Sequence, residues 1–498
     1  MELKFENVAC RCLRSLVRES RNLEQTQELR LPEGLPDIGR VLCAWGQVML
    51  RSKEWQGDGM TASGGVAVWV LYAPDDGSQP RCVDAWLPYQ AKWSFPEAER
   101  EGVIRLVPTV RSVDARTVSA RKLMIRANIG IWAEALEPFD AQVYSPGEMP
   151  EGIELLRNTY PVRMPKEAGE KTFLLDEELT MPGSCPPAEK LIRFELVPRL
   201  MDTRVMSGKV VFRGNGSLHI LYRGDDGAFY TWDHEIPFSQ FAELDEDFGT
   251  DAAARIAFAL TDLELDLMDD GVLRLKCGIV AQYLIDDQIM LEVVEDAYSP
   301  QREVTPCCQN VAVPAVLDER TEQLNCEASL DAECGRIIDL CFLPDHPTVS
   351  RTGEQIRIGQ NGMFQLLYED ITGNLQSTNR RWEQERIMDA AEDCAVHAEI
   401  RPSGVSVAQQ GGEIVMKSDI ALTVHTETTR GQQMLCGIEL GDVKKPDPNR
   451  PSLILRRTEG ERLWDIAKTC GTTVRDICRT NGLSDEPEAG RLLLIPVM

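Results

Sequence analysis

The chain has 498 residues, of which 43% are hydrophobic and 27% charged, and its formal net charge is −27 at pH 7. This composition is typical of a globular protein with several domains, and the acidic balance argues against nucleic acid and anionic membranes as partners. No apolar run approaches membrane-spanning length. The amino terminus, MELKFEN, lacks the basic start and apolar core of a secretion signal. The 15 cysteines lack paired zinc-type spacing, so we expect reduced thiols in the cytosol, with no metal site and no cofactor.

Residues 1–22 are predicted to form a short helix. Val8, Cys12, Leu13 and Leu16 recur at helical spacing, and arginines occupy the rest of the helical wheel. A basic amphipathic helix can bind a membrane surface, or it can pack on the first domain. The narrow apolar face favours packing on the domain.

The body of the chain is an internal repeat. The stretches GGVAVWVLYAPDDG, GNGSLHILYRGDDG and GQNGMFQLLYEDITG begin at Gly64, Gly214 and Gly359, and each reads as a strand that ends in Leu-Tyr before a turn closed by glycine. The tyrosines, Tyr72, Tyr222 and Tyr368, are 150 and 146 residues apart, a spacing that indicates three copies of a domain. We therefore predict domains at 1–150, 151–305 and 306–443, a linker at 444–450 and a C-terminal module at 451–498.

Each copy is predicted to be mainly β. Hairpin-like alternation surrounds turns at Asp269-Asp270-Gly271 and Gly411-Gly412. Segments rich in Glu, Asp and Ala near the middle of each copy are expected to hold a short helix or an acidic loop; they span 95–102, 241–257 and 388–396. The first two copies end in Tyr-Ser-Pro, at Tyr144 and Tyr298.

No catalytic constellation is visible in the sequence. The pairs Asp75-Asp76 and Asp225-Asp226 precede glycines, and we interpret them as tight turns because the further oxygen ligands of a calcium loop are missing. The five histidines occur singly, and His219 is interpreted as a surface or satisfied core residue. Hydrolase, zinc-protease and phosphate-loop motifs are absent. We therefore do not expect an enzyme.

The C-terminal module reads as strand, helix, helix, strand. Leu463, Ile466, Ala467 and Cys470 share one helical face, and Asn481-Gly482 is a helix-ending pair. The module carries seven Lys or Arg residues and seven Asp or Glu residues, so the negative charge of the chain belongs to residues 1–450.

This module resembles a LysM domain. The residues that match the family pattern are Gly460, Leu463, Trp464, Ile466, Ala467, Asn481, Gly490, Leu493, Ile495 and Pro496. The resemblance implies a groove for N-acetylglucosamine polymers or for a protein partner, formed here by Gly460, Glu461, Arg462, Leu463, Trp464, Asn481, Gly482 and Leu483. The usual Asp-Thr pair of the family is Glu461-Arg462 in this chain. Trp464 is either a core anchor or a stacking platform, and Arg456, Arg457 and Arg462 form either a solvated face or a docking surface for an acidic protein.

The whole arrangement resembles the SPOCS-domain proteins of spore-forming Firmicutes. The resemblance rests on the P-D-I-x-R-V-L motif ending at Leu42, the L-Y-x-x-D-D-G turns, the Tyr-Ser-Pro ends and the LysM-like tail. It implies a non-enzymatic scaffold for assembly of the spore envelope and coat, located in the mother-cell cytoplasm and recruited to the forespore surface. Its LysM module would contact a SpoIVA-like coat-basement ATPase. The alternatives are a peptidoglycan-binding protein of the cell wall and a wall hydrolase targeted by LysM.

Overall fold

The computed structural model describes residues 2–269, 271–311, 313–392, 394–410, 412–428, 432–445 and 451–497. Almost all of the chain before the C-terminal module is β-strand. The first repeat contains six strands after the short β1 (Glu2–Lys4): β2 (Glu6–Arg30), β3 (Ile38–Gln56), β4 (Gly59–Pro74), β5 (Arg81–Ser94), β6 (Val103–Ser119) and β7 (Lys122–Ser145). They form two antiparallel sheets, β3-β4-β5 and β2-β7-β6, whose apolar faces pack together in one core.

The second repeat has the same strand order. Its strands are β8 (Glu154–Leu179), β9 (Ala188–Met206), β10 (Lys209–Gly224), β11 (Phe229–Glu243), β12 (Ala253–Leu267) and β13 (Leu273–Tyr298). Here the sheets are β9-β10-β11 and β8-β13-β12, and the second of these continues beyond β8 into three strands of the third repeat to make one six-stranded sheet. The repeat signature of the sequence thus corresponds to a repeated sandwich of two sheets.

The third repeat interrupts this pattern. Its strands are β14 (Arg302–Val311), β15 (Ala315–Asp331), β16 (Cys334–Pro344), β17 (Thr348–Thr352), β18 (Gln355–Asp370), β19 (Leu375–Asp389), β20 (Cys394–Gln410), β21 (Glu413–Thr428) and β22 (Gln432–Val443). β16 and β17 both pair with β18, so two shorter strands stand where each of the first two repeats has one long strand. β14 and β22 form a separate sheet, in which β1 also pairs with β22. The predicted turn residues Asp270 and Gly411 lie outside the described residues.

The tyrosines that define the repeat have a structural role. Tyr72 and Tyr222 are fully buried, and their hydroxyls donate to the carbonyl oxygens of Pro36 and Pro186 at 3.0 and 3.2 Å. Each bond ties the end of the third strand of a repeat to the turn before its second strand. The two acidic turns are closed by Gly77 and Gly227, both at positive φ, where glycine carries no steric cost.

The prediction of a helix in residues 1–22 is wrong. Residues 6–22 belong to β2, which pairs with β7 from Glu6 to Arg30. Cys12 and Leu13 are both buried although they point to opposite faces of the strand, because the two faces pack in different clusters. A strand covered on both faces loses its alternating pattern, and a bulge between Ser15 and Val17 shifts the register further.

The segments at 95–102, 241–257 and 388–396 were expected to hold a short helix or an acidic loop, and in the described residues the loop alternative is the one observed. They are loops flanked by the ends of neighbouring strands. In the first of these loops the Glu137 carboxylate accepts hydrogen bonds from the backbone N–H groups of Glu99 and Arg100 at 2.9 and 3.0 Å. A carboxylate from an adjacent strand therefore satisfies donors that a helix would have satisfied internally.

The outer ends of the three strand pairs β2–β7, β8–β13 and β14–β22 pack around a shared apolar core, formed by Cys12, Ala141, Val143, Met164, Leu291, Val293, Val311, Val313 and Met434. The sheets of the three repeats meet in a second shared cluster. In this cluster Leu71, Leu221 and Leu367 occupy equivalent positions of the three repeats, and all are buried. The repeats therefore pack around common centres.

The C-terminal module has the predicted βααβ order. It consists of β23 (Leu453–Arg457), α1 (Leu463–Cys470), α2 (Val474–Asn481) and β24 (Leu492–Pro496), with β23 and β24 antiparallel. Both helices end at glycines in the left-handed region, Gly471 and Gly482. The predicted linker residues 446–450 lie outside the described part of the chain. The prediction of a mainly β protein with a small α+β module is confirmed.

Candidate functional site

The loop before α1 is held together by its own side chains. Gly460 has a φ of 98°. The Glu461 carboxylate accepts hydrogen bonds from Arg456 Nη2 at 2.7 Å and from the backbone N–H of Glu459 at 2.6 Å. Arg462 is exposed and pairs with Asp465, with 3.2 Å between Nε and Oδ2. Two of the predicted groove residues therefore already have partners within the module.

The remaining predicted site residues mainly build the module. Leu463 and Trp464 are buried, and Leu483 packs against the module core. Asn481 bridges α2 to β24: its Nδ2 donates to the carbonyl oxygens of Ile477 and Leu494 at 2.9 and 2.6 Å, and its Oδ1 accepts from Leu494 N at 2.7 Å. Asn481 thus fixes β24 against α2, and Gly482 ends the helix.

Sequence reasoning missed Glu486. Its carboxylate accepts a hydrogen bond from the backbone N–H of Leu463, with 2.8 Å between Oε2 and N. This bond joins the loop before β24 to the first residue of α1, across the groove that the family resemblance implies. A carboxylate at a helix N-terminus is favoured by the unpaired N–H groups there. The only sequence signal was an acidic residue in the loop that follows α2.

The module rests on the outer end of the second repeat. Trp464 Nε1 donates to Asp296 Oδ2 at 2.9 Å, and Lys468 Nζ forms an ion pair with the same carboxylate at 2.7 Å. The rings of Trp464 and Tyr298 meet edge to face, with centroids 4.7 Å apart. Tyr298 Oη donates to the carbonyl oxygen of Thr472 at 3.0 Å, and Leu156 packs against the same cluster. We call Leu156, Asp296 and Tyr298 the module seat.

The electrostatics of the seat match this geometry. Burial alone would raise the pKa of Asp296, but the hydrogen bonds from Lys468 and Trp464 hold that pKa below its ordinary value. Asp296 is therefore ionised at neutral pH and attracts Lys468. The interpretation of Trp464 as an anchor fits its burial, although two of its partners, Asp296 and Tyr298, lie outside the module.

The face of the β23–β24 sheet that points away from the module core is apolar and open. Leu453, Leu455, Leu492 and Leu494 are 50%, 60%, 52% and 40% exposed, and Leu455 lies directly across from Leu494 in the β23–β24 register. They alternate with Ile454, Leu493 and Ile495, which pack in the module core. We call these four residues the outer leucine face; the exposed side chain of Arg457 alternates onto the same side of β23.

The acidic turns and His219 have structural partners. Asp76 Oδ1 accepts from the backbone N–H of Ser78, and Asp226 Oδ1 from that of Ala228, both at 2.9 Å. The ring nitrogens of His219 lie 2.6 Å from Asp233 Oδ1 and 2.9 Å from Asp339 Oδ1. Within the described part of the chain, no group of three or more His, Cys, Asp or Glu side chains is placed to hold a metal ion.

Comparison with known families gives two matches. Residues 187–268, which lie in the second repeat, match the family model described as SipL, SPOCS domain. Residues 458–496 match the LysM domain. No curated protein and no solved structure matches the chain. Among the described residues, no helix is both long and apolar enough to cross a membrane. The two domains fit a sporulation protein with a LysM module, and the chain is therefore similar to SipL-like proteins over a SPOCS domain in its second repeat and a LysM domain near its C-terminus.

Proposed function

We propose that this protein is a non-enzymatic scaffold of spore envelope and coat assembly, whose C-terminal module docks a morphogenetic protein partner. The observation that carries the proposal is the outer leucine face. The small module packs on the second repeat, and the outer face of its sheet presents four leucines to solvent. A contiguous exposed apolar surface is typical of a protein interaction site.

The chemistry of this face favours protein over glycan. Burying a half-exposed leucine stabilises a complex by on the order of 1 kcal/mol, so four together supply a substantial part of a binding energy. Arg457 beside them suits an acidic residue at the rim of the interface. A partner with apolar side chains and some negative charge therefore fits, and a SpoIVA-like coat-basement ATPase is the candidate that the family resemblance supplies.

Glycan binding by the LysM groove is the competing function. The LysM match of residues 458–496 supports it, because LysM domains are associated with peptidoglycan. The loops of this groove are joined by the Glu486–Leu463 hydrogen bond, and Glu461 is paired with Arg456. A sugar that used the same backbone N–H would first have to displace the Glu486 carboxylate, which lowers the affinity expected for glycan.

The proposed scaffold divides at 1–150, 151–305 and 306–443, with the module at 451–498 joined by residues 444–450. We place it in the mother-cell cytoplasm, recruited to the forespore surface through its partner. The repeated two-sheet sandwich of the first two repeats supports a role in spacing or multivalent display.

Binding of the full-length chain to a purified SpoIVA-like ATPase, measured by biolayer interferometry, tests the proposal. We expect Leu455→Glu to weaken binding at least tenfold, because it places a charge at the centre of the outer leucine face. Leu174→Glu is the matched control, since Leu174 is also 60% exposed but lies in β8 of the second repeat. Co-sedimentation with purified peptidoglycan runs in parallel. Retention on peptidoglycan with no binding of the ATPase would overturn the proposal in favour of the glycan function.

A further inference from the structure

The Tyr-Ser-Pro ends of the first two repeats have different surroundings. In the first repeat, Tyr144 Oη donates to Gln309 Oε1 at 2.6 Å, so this tyrosine is used in contact with the third repeat. In the second repeat, Tyr298 is buried under the C-terminal module. The motif is thus shared, but its partners are not.

The residue two positions before the tyrosine distinguishes the two ends. It is Gln142 in the first repeat and Asp296 in the second. Asp296 supplies the carboxylate that binds both Trp464 and Lys468. These two residues are four apart on α1 and therefore lie on one face of the helix. A glutamine at the same position has no charge with which to attract Lys468.

The segment that leads to the module is fixed at the edge of the same site. Lys444 Nζ donates to the carbonyl oxygen of Ser299 at 2.7 Å, and the backbone N–H of Lys444 donates to the carbonyl oxygen of Gln301 at 2.9 Å. Only a few residues separate Lys444 from the start of β23. A short tether gives the module a local concentration on the order of millimolar at its seat, so even a weak contact is well populated.

We propose that the exit segment of the second repeat is an intramolecular docking site specific for a LysM helix that carries tryptophan and lysine four residues apart. The acidic residue and the tyrosine, Asp296 and Tyr298, recognise this pair, and Leu156 adds apolar contact. Docking buries the Trp464 side of the module and leaves the outer leucine face open to solvent. The repeat thereby determines which surface of the module a ligand can reach.

Zero-length carbodiimide crosslinking of the full-length chain tests this contact. The reagent joins a carboxylate and an amine that already form an ion pair, so we expect an Asp296–Lys468 crosslink by mass spectrometry. The ion pair of Glu327 and Lys417, 2.9 Å apart in the third repeat, is the internal reference. Lys468→Arg removes the amine but keeps the cation, and should abolish the first crosslink alone. Tyr298→Ala leaves both crosslinking groups in place, and we expect it to lower the Asp296–Lys468 yield several-fold relative to the reference.

Hydroxyl-radical footprinting gives a second measurement that does not depend on the reagent. Trp464 is 6% exposed in the docked module, whereas Trp86 is 38% exposed, so Trp464 should be oxidised far more slowly than Trp86 in the unmodified chain. Asp296→Ala and Tyr298→Ala should each raise the oxidation of Trp464 without changing that of Trp86. Equal oxidation of the two tryptophans in the unmodified chain would overturn the proposal, and so would a Trp464 rate that neither substitution changes.

Discussion

Arg193 of the second repeat and Asp339 of the third form a buried ion pair, with 2.9 Å between Nη2 and Oδ2. The two residues occupy the same position of their repeats, because they are offset by the same 146 residues as Tyr222 and Tyr368. Cys43 is the equivalent residue of the first repeat, and it is buried beside them. The same position of the three repeats therefore carries a thiol, a guanidinium and a carboxylate where the repeats meet.

The first prediction concerns this ion pair. Asp339→Ala leaves the guanidinium of Arg193 buried without its main partner, which costs about 3–5 kcal/mol of unfolding free energy. The double variant Arg193→Met with Asp339→Leu should recover most of that loss, because it removes both charges and fills the space. Urea unfolding followed by tryptophan fluorescence measures both. If the double variant were no more stable than the single one, the loss would come from the other partner of Asp339, the His219 ring, and not from the unpaired guanidinium.

The second prediction concerns pH. Burial lowers the pKa of His219, but the carboxylates of Asp233 and Asp339 more than compensate and raise it from 6.5 to about 9. Because the folded pKa lies above the unfolded pKa, the contribution of protonated His219 is complete below pH 6.5 and is lost as pH rises through about 9. Thermal unfolding between pH 6 and 10 should show this decline. The variant His219→Gln should have a flatter profile over the same range, and an unchanged slope would exclude His219 as its source.

The third prediction concerns the module. Asn481→Ala removes two hydrogen bonds between α2 and β24 and one within α2, and it should reduce the local stability of the module by about 1–3 kcal/mol. Hydrogen exchange with mass spectrometry should show faster exchange in β24 and unchanged exchange in β4. Arg479→Ala, on the same helix but with a highly exposed side chain, is the control and should exchange like the unmodified chain.

The fourth prediction concerns the repeat tyrosines. Tyr72→Phe and Tyr222→Phe each remove a hydroxyl that donates to a proline carbonyl, and each should cost about 0.5–1.5 kcal/mol. Tyr368→Phe is the comparison from the third repeat, for whose hydroxyl the described residues provide no hydrogen-bond acceptor, and we expect a smaller loss. The denaturant midpoints of the three variants measure these losses. A midpoint lowered most by Tyr368→Phe would contradict the prediction.

The sequence was most informative where the structure depends on local patterns. The strand and turn around each repeat tyrosine, and the order of elements in the C-terminal module, follow from alternation, glycine positions and helix caps within short windows. The helix prediction for residues 6–22 failed because the hydrophobic pattern of a strand depends on which segments cover its two faces. Cys12 and Leu13 pack in two different clusters, both built from segments distant in sequence.

The module seat could not be predicted for a related reason. Asp296 and Trp464 are 168 residues apart, and neither is unusual in its own segment. Asp296 lies among the acidic residues of an acidic chain, and Trp464 fits the family pattern regardless of what it contacts. The hydrogen bond of Glu486 could not be predicted either, because the sequence does not indicate which backbone N–H group a carboxylate in a loop will contact.

The burial of Trp464 has a practical consequence for truncation experiments. A fragment that begins at Pro451 would lack Asp296 and Tyr298. The indole N–H of Trp464 and the Lys468 ammonium would then both lose their partners, and the indole ring would become exposed to solvent. Such a fragment would expose a cationic and aromatic patch that is covered in the intact chain and that would bind other molecules nonspecifically. Affinities measured with it for sugars or proteins would then describe a surface created by the cut.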